Sequence, residues 1–121
     1  TNGFTLVRRL VGDGDFDADL LLAPHRLYVD EVRALRAGAD VKALAHITGG
    51  GILGNLPRVL PEGVGVEIYW ESWERPAVYS WLTEHGVSED EQRRVFNLGI
   101  GMCAVLPEGD ACAGTVIGRL V

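Results

Sequence analysis

The sequence predicts one domain of the α/β (α+β) class, a layered domain in which helices pack on a mixed sheet of about four strands. Two observations predict it. Segments with apolar residues at helical spacing interleave with short apolar runs or alternating segments that are typical of strands. The 121 residues also contain no internal repeat and no low-complexity linker. We therefore expect a single domain over residues 1–121.

The first third of the chain is predicted to hold two helices. The first follows Thr1-Asn2, either of which could cap it, and its apolar stripe is Phe4, Val7, Leu10 and Val11. Residues 12–19 are acidic and predict a loop. The second helix covers residues 28–37, with Val29, Val32 and Leu35 on one face. Gly38 is placed to end this helix in the left-handed conformation.

The period changes after Gly38. Residues 43–48 form a short, mostly apolar run that predicts a buried strand leading into a glycine turn at residues 49–51. A helix should follow, with Ile52, Leu53, Leu56 and Val59 as its apolar positions and Pro57 limiting its regularity. Residues 61–63 predict a turn. Residues 64–70 alternate between apolar and other side chains, as a strand with one buried face does.

The last third is predicted to contain two more helices and two strands. One helix starts near Pro76, a favoured first-turn residue, and runs to Gly86. Residues 88–91 read Ser-Glu-Asp-Glu, a capping-box pattern that predicts a helix to about Phe96. Residues 101–106 and 115–121 are the remaining strand candidates.

Composition excludes several classes of protein. The net charge is −6 and no run is rich in Lys or Arg, so the chain lacks the positive surface that nucleic-acid binding needs. No apolar stretch approaches the roughly 18 residues of a membrane span. Cys103 and Cys112 have no zinc-ligand spacing, and we expect reduced thiols in a cytoplasmic protein without a metal site of its own.

The candidate binding segment is His46-Ile47-Thr48-Gly49-Gly50-Gly51, at the junction of a strand and a helix. Glycine N–H groups can approach an anion closely because no Cβ blocks them. His46 and Thr48 are two positions apart and should share one strand face. The segment is compatible with a phosphate or nucleotide cradle in which His46 is a hydrogen-bond donor or a proton-transfer group. It is equally compatible with a tight turn and a core histidine bonded to the backbone.

A second glycine-containing segment, residues 96–102, resembles a dinucleotide-binding fingerprint only superficially. It leads from a helix into a strand, which is the reverse of the order that a Rossmann fold requires. Asn97 either lines a site at the edge of the following strand or simply ends the helix. Trp70, Trp73 and Trp81 are expected to pack in the core rather than form a stacking surface.

Several motifs together resemble one family. Residues 45–61, AHITGGGILGNLPRVLP, and residues 96–102, FNLGIGM, are similar to the C-terminal domain of aminoimidazole ribonucleotide synthetases, the phosphoribosylformylglycinamidine cyclo-ligases. Residues 1–4, 24–29 and 116–118 fit the same family in the same order. The likeness therefore extends over nearly the whole chain.

The resemblance implies an enzyme of purine biosynthesis that uses ATP and Mg²⁺ to close the imidazole ring of formylglycinamidine ribonucleotide. It implies an active site between this domain and an N-terminal ATP-binding domain that is absent from this chain, and a homodimer for the full-length protein. The residues that would face the substrates are Asn2, His46, Thr48, Gly49, Gly50, Gly51 and Asn97.

The sequence also departs from the family pattern. It is shorter between Asp19 and Leu20, where about ten loop residues are expected, and between Ala111 and Thr115, where a helix is expected. Without the N-terminal half we expect no turnover by this chain alone. The alternatives are a related ATP-dependent enzyme, such as formylglycinamidine ribonucleotide synthetase, selenophosphate synthetase, thiamine-phosphate kinase or a hydrogenase maturation factor, and a non-catalytic phosphate-binding module.

Overall fold

The computed structural model describes residues 3–12, 17–110 and 114–121. Within them lie six α-helices, one 3₁₀ helix and four strands. In chain order these elements are α1 (Phe4–Val11), α2 (Ala18–Leu21), α3 (Val29–Gly38), β1 (Ala43–His46), α4 (Gly51–Asn55), the 3₁₀ helix (Leu56–Val59), β2 (Val66–Ile68), α5 (Val78–Glu84), α6 (Glu89–Val95), β3 (Met102–Val105) and β4 (Gly118–Leu120). The predicted order of helices and strands is confirmed apart from α2, which was not predicted.

Predictions that depend on neighbouring residues are confirmed at the start of α6 and at Pro57. The hydroxyl of Ser88 accepts a hydrogen bond from the N–H of Glu91 at 3.3 Å and caps α6, as the capping-box pattern predicts. Pro57 stands at the start of the 3₁₀ helix that continues α4, so the helix changes its pitch where the proline removes a donor.

Two predictions about helix ends are wrong, and a third concerns residues outside the described part of the chain. Residues 12–19 are not all loop, because Asp17 accepts a hydrogen bond from the N–H of Leu20 and caps the short helix α2. Gly38 is the last residue of α3 rather than a left-handed cap, and the chain leaves through Ala39 in an extended conformation. The N-cap of α1 is Gly3, and the predicted capping residues Thr1 and Asn2 lie outside the described residues.

The four strands form two antiparallel ribbons in the described part of the chain, not one mixed sheet. β1 pairs with β3, with Ala43 opposite Val105 and His46 opposite Met102. β2 pairs with β4, with Val66 opposite Leu120. The two ribbons meet through side chains: Val66 and Ile68 of β2 pack on the buried cluster that β1 and β3 contribute to. Apolar packing therefore joins them in place of a hydrogen-bonded ladder.

The core has two parts. The helical cluster is centred on Leu82, Phe96 and Leu98, all fully buried, and packs α1, α2, α5 and the end of α6 together. The strand cluster contains Ala45, Ile47, Ile52, Leu56 and Cys103. Trp70 and Trp73 contact both clusters, which confirms their predicted role in packing. Within the described residues none of the helices has the length and apolarity of a membrane span.

Candidate functional site

The predicted glycine turn joins β1 to α4. His46 is the last residue of β1, Ile47 continues the pairing through a 2.9 Å hydrogen bond from its N–H to the carbonyl of Gly101, and Gly51 begins α4. His46 and Thr48 are exposed, whereas Ile47 between them is buried. The two polar side chains therefore lie on the outer face, as the spacing predicts. The alternative of a core histidine is wrong.

The turn is held from inside by Asn55, a residue that sequence reasoning quoted but did not single out. Its side chain is buried, and its Nδ2 donates to the carbonyls of Gly51 at 2.7 Å and Gly49 at 3.1 Å. Its Oδ1 accepts from the hydroxyl of Thr48 at 3.3 Å. The Asn55 amide thus binds carbonyl oxygens of the turn on the inner side. The outer side of the turn faces solvent.

The backbone conformation of the turn requires glycine at positions 50 and 51. Their φ angles, 95° and 63°, lie in the region that residues with a Cβ rarely adopt. A Cβ on Gly51 would also collide with the carbonyl oxygens of Arg93 and Phe96. The N–H of Gly50 donates to the carbonyl of Val95 at 3.4 Å and that of Gly51 to the carbonyl of Thr48 at 3.2 Å. The turn is therefore seated directly on the end of α6.

Gly49 differs from its two neighbours. Its φ angle is outside the left-handed region, it is exposed, and nothing would lie within 4 Å of a Cβ placed on it. The structure therefore gives this position no conformational or packing reason to be glycine. Close approach of a ligand or of another domain would be such a reason. Substitution of Gly49 therefore tests whether anything binds at the outer side of the turn.

Because the turn packs on the end of α6, two arginines of that helix lie beside the turn. The sequence analysis did not connect these arginines with the turn. A groove of about 620 Å³ runs between α4 and α6 and is lined by Gly50, Leu53, Gly54, Trp70, Asp90, Arg93 and Arg94. The guanidinium of Arg93 lies over the ring of Trp70, 4.6 Å from its centroid. The sequence could not reveal this arrangement because about 40 residues separate the turn from Arg93 and Arg94.

Asn97 lies in a second place. It is buried, and its Oδ1 accepts from the hydroxyl of Tyr79 at 2.8 Å and from the N–H of Gly99 at 3.1 Å. It lines a groove of about 410 Å³ that also includes His25, Arg26 and Tyr28, but neither His46 nor the glycine turn. The other predicted residues surround the turn, whereas Asn2 lies outside the described residues.

The turn after Asn97 contains the one non-glycine residue with positive φ in the described part of the chain. Leu98 has φ 54° and is fully buried, and its carbonyl accepts a 2.9 Å hydrogen bond from the indole N–H of Trp73. A residue is kept in this costly conformation only when its surroundings determine it. The conformation of residues 96–102 is therefore determined by the burial of Leu98 in the core and by the hydrogen bonds of Asn97.

Charged groups near the α4–α6 groove are paired. Glu89 binds both Arg75, at 2.7 Å, and Arg93, at 2.9 Å. Partial burial alone would raise the pKa of Glu89, but the hydrogen bonds and charges of the two arginines outweigh it and hold the pKa below its ordinary value. No group of three or more His, Cys, Asp or Glu side chains among the described residues could hold a metal ion.

Comparison with known proteins identifies the family. The model of the AIR synthase related protein, C-terminal domain, matches residues 1–117. The chain belongs to this family. The α/β architecture of the structure agrees with that assignment.

Proteins named phosphoribosylformylglycinamidine cyclo-ligase are similar over almost all of the chain. The one from Paraburkholderia phymatum is 43% identical over 126 residues, which cover 95% of this chain and 36% of the relative. Those from Burkholderia lata and Paraburkholderia xenovorans are 44% and 45% identical over 124 residues, 93% of this chain and 35% of each relative. The chain thus spans about a third of the length of the curated relatives it matches.

Proposed function

We propose that this chain is the C-terminal domain of a phosphoribosylformylglycinamidine cyclo-ligase and that the outer side of its glycine turn binds a phosphate group of the substrates. The observation that carries the proposal is the turn itself: its carbonyls are gathered inward by Asn55, and exposed His46 and Thr48 flank the outer side. Carbonyl oxygens that are turned inward do not repel an anion at the outer side. The N–H groups of Gly50 and Gly51 already donate to the carbonyls of Val95 and Thr48, so the proposal depends on the exposed imidazole of His46 and on the open space at Gly49.

In the proposed reaction ATP transfers its γ-phosphoryl group to the formyl amide oxygen of formylglycinamidine ribonucleotide and leaves as ADP. The neighbouring nitrogen then attacks the activated carbon, loses a proton and expels inorganic phosphate as the imidazole ring closes. This chemistry depends on holding phosphate groups and reacting atoms in position. We assign the positioning of one phosphate to residues 48–51 and a proton transfer to the imidazole of His46. The remaining two thirds of the relatives' length would supply the partner domain, in a cytoplasmic homodimer.

We assign no magnesium ligands to the described residues of this chain. The described residues bring no three metal-ligating side chains together. The proposal therefore routes no step through a metal ion held by this domain. We propose that the partner domain holds most of the ATP and Mg²⁺, as the resemblance to the family implies.

The first prediction concerns His46 in the longest polypeptide that the reading frame encodes. Addition of formylglycinamidine ribonucleotide and ATP should release ADP, and His46→Ala should lower kcat by about 100-fold, the usual contribution of a proton-transfer group. The matched control is His85→Ala, which removes another exposed histidine, one that stacks on Trp81 and directly follows α5. The measurement is a coupled ADP assay.

Two results would contradict the proposal. Equal rates for the His46→Ala variant and the parent would remove His46 from the mechanism. Absence of substrate-dependent ADP release from a polypeptide of the relatives' length, with phosphate binding retained, would leave the non-catalytic phosphate-binding module as the function.

A further inference from the structure

The segment between α2 and α3, residues 22–29, exposes three large apolar side chains to solvent. Leu27 is 83% exposed, and Leu22 and Val29 are 58% and 55% exposed. Single apolar residues on a protein surface are normal, whereas several that lie close together indicate a surface that binds something. Three such residues within one short segment therefore need an explanation that the isolated domain does not supply.

The backbone of this segment also lacks partners in the part of the chain that the structure describes. The N–H of Leu22 still donates to the carbonyl of Ala18 at 2.8 Å, but no such hydrogen bond holds the N–H groups of residues 25–28. A polypeptide that docks on an exposed edge uses unpaired N–H groups together with pockets or contacts for apolar side chains. Residues 22–29 offer both.

The segment is nevertheless held in a defined position. Tyr28 is partly buried and packs directly on Gly101, where a Cβ would collide with its ring and hydroxyl. Arg26 binds Glu31 at 2.6 Å and lies over the Tyr28 ring, 5.9 Å from its centroid. At the other end, Leu21 is buried in the helical cluster. A surface that is ordered before docking loses little conformational entropy when it is covered.

In a polypeptide of the relatives' length, the rest of the protein would reach the domain on this side. The family model that matches from residue 1 is that of a C-terminal domain, and the chain spans about a third of its relatives. Preceding residues would lead into Gly3, which packs against the ring of Phe96. The next residue, Asn97, lines the groove of about 410 Å³ together with Arg26 and Tyr28. A domain attached at Gly3 therefore starts close to residues 22–29.

The exposed apolar side chains at the end of the chain fit this role less well. Leu120 and Val121 lie in or next to β4, whose backbone is already paired with β2. Val121 and Gly65 exchange two backbone hydrogen bonds, at 2.8 and 3.1 Å. This strand therefore has fewer free backbone groups to offer than residues 25–28.

We propose that residues 22–29 are the docking surface for the domain that precedes this one in the full-length polypeptide, with Leu27 as its main apolar contact. The inference rests on the proposed function, because it takes the chain to be one domain of the two-domain enzyme. It goes further by assigning the face that the partner domain covers. Docking there would also place the Asn97 groove between the two domains.

The test compares hydrogen exchange in the 121-residue chain and in the longest polypeptide that the reading frame encodes, by mass spectrometry and without substrates. Amides of residues 25–28 should exchange about 100-fold more slowly in the longer polypeptide, because docking removes them from water. The exposed turn at residues 61–63 is the internal control and should exchange equally fast in both proteins.

A variant tests the apolar contact. Leu27→Asp should leave the thermal unfolding midpoint of the 121-residue chain unchanged, because the side chain is exposed there. In the longer polypeptide it should abolish the protection of residues 25–28. The matched control is Val116→Asp, which places the same charge at another apolar residue, 67% exposed, and should leave that protection in place.

The outcomes separate this inference from the proposed function. Equal exchange of residues 25–28 in the two polypeptides, or protection that survives Leu27→Asp, would overturn the docking surface. So would a reading frame that encodes no further domain. Protection that grows with the concentration of the 121-residue chain alone would assign the surface to a second copy instead. Protection in the longer polypeptide together with parental rates for His46→Ala would keep the docking surface and reject the proposed role of His46.

Discussion

Asn55 shows how a single buried amide can determine the shape of a loop. Its Nδ2 and Oδ1 contact three residues of the turn, at positions 48, 49 and 51, and it is only 6% exposed. The glycines of this turn were conspicuous in the sequence, but Asn55 was not. An asparagine four residues after the turn is compatible with a solvent-facing helix position, and only the direction in which α4 leaves the turn places its side chain inward.

The second prediction follows from these contacts. Asn55→Ala should lower the free energy of unfolding by about 2 to 3 kcal/mol, because it leaves inward-facing carbonyls without their donor. The control is Thr48→Val, which removes only the 3.3 Å hydrogen bond of an exposed side chain and should cost less than about 1 kcal/mol. Urea unfolding measures both values. Equal losses in the two variants would show that the amide does not organise the turn.

The thiol of Cys103 gives a third prediction at the residue scale. Burial raises its pKa to about 11 from 9.0. A raised folded-state pKa means that the stabilisation is complete below pH 9 and is lost as the pH rises toward 11. Relative to Cys103→Ala, the protein should therefore lose on the order of 2 kcal/mol of unfolding free energy between pH 8 and pH 11. A constant difference between the two proteins would contradict a buried, protonated thiol.

For helices and strands, the accuracy of the predictions depended on how far apart in the sequence the interacting residues lie. The start of α6 was predictable because its cap involves residues 88 and 91 alone. The end of α3 was not, because Gly38 can either continue or end a helix, and the pairing of the following strand β1 determines the direction of the chain. Helix α2 was missed because four residues contain too little apolar periodicity to be detected.

Helix α3 stands apart from the other long elements, and the fourth prediction concerns it. None of its ten residues is buried, whereas α5 has three buried residues among seven. Helices in proteins owe most of their stability to packing of one face. Amide hydrogens of α3 should therefore exchange on the order of 100-fold faster than those of α5, as hydrogen exchange followed by NMR would show.

The control for this prediction lies in the same experiment. The amides of α6 are held by the capped N-terminus and by Gln92, which is 1% exposed and donates to the carbonyl of Val87. They should exchange as slowly as those of α5. Slow exchange of α3 as well would mean that the isolated chain associates through this helix or that its partly buried face suffices.

For the whole molecule, the sequence predicted the class and the segments of the site but not their arrangement. The division into two ribbons depends on which strands pair, and no short-range pattern encodes this. For the segment that contains Arg93 and Arg94, the sequence predicts only a helix. Nothing in residues 88–96 indicates that the glycine turn packs on the end of this helix. The roles of His46, Thr48 and Gly49 stay predictions, now with a defined outer face on which to test them.

The pairing of β1 with β3 also affects how the chain folds. Ala43 and Val105 are about 60 residues apart, and Val66 and Leu120 more than 50. Neither ribbon is a hairpin, so each must close a long loop before its hydrogen bonds repay the lost chain entropy. Chains dominated by such distant pairings fold slowly. The turn and α6 lie within the loop that β1 and β3 close, so we expect the candidate binding face to be completed late in folding.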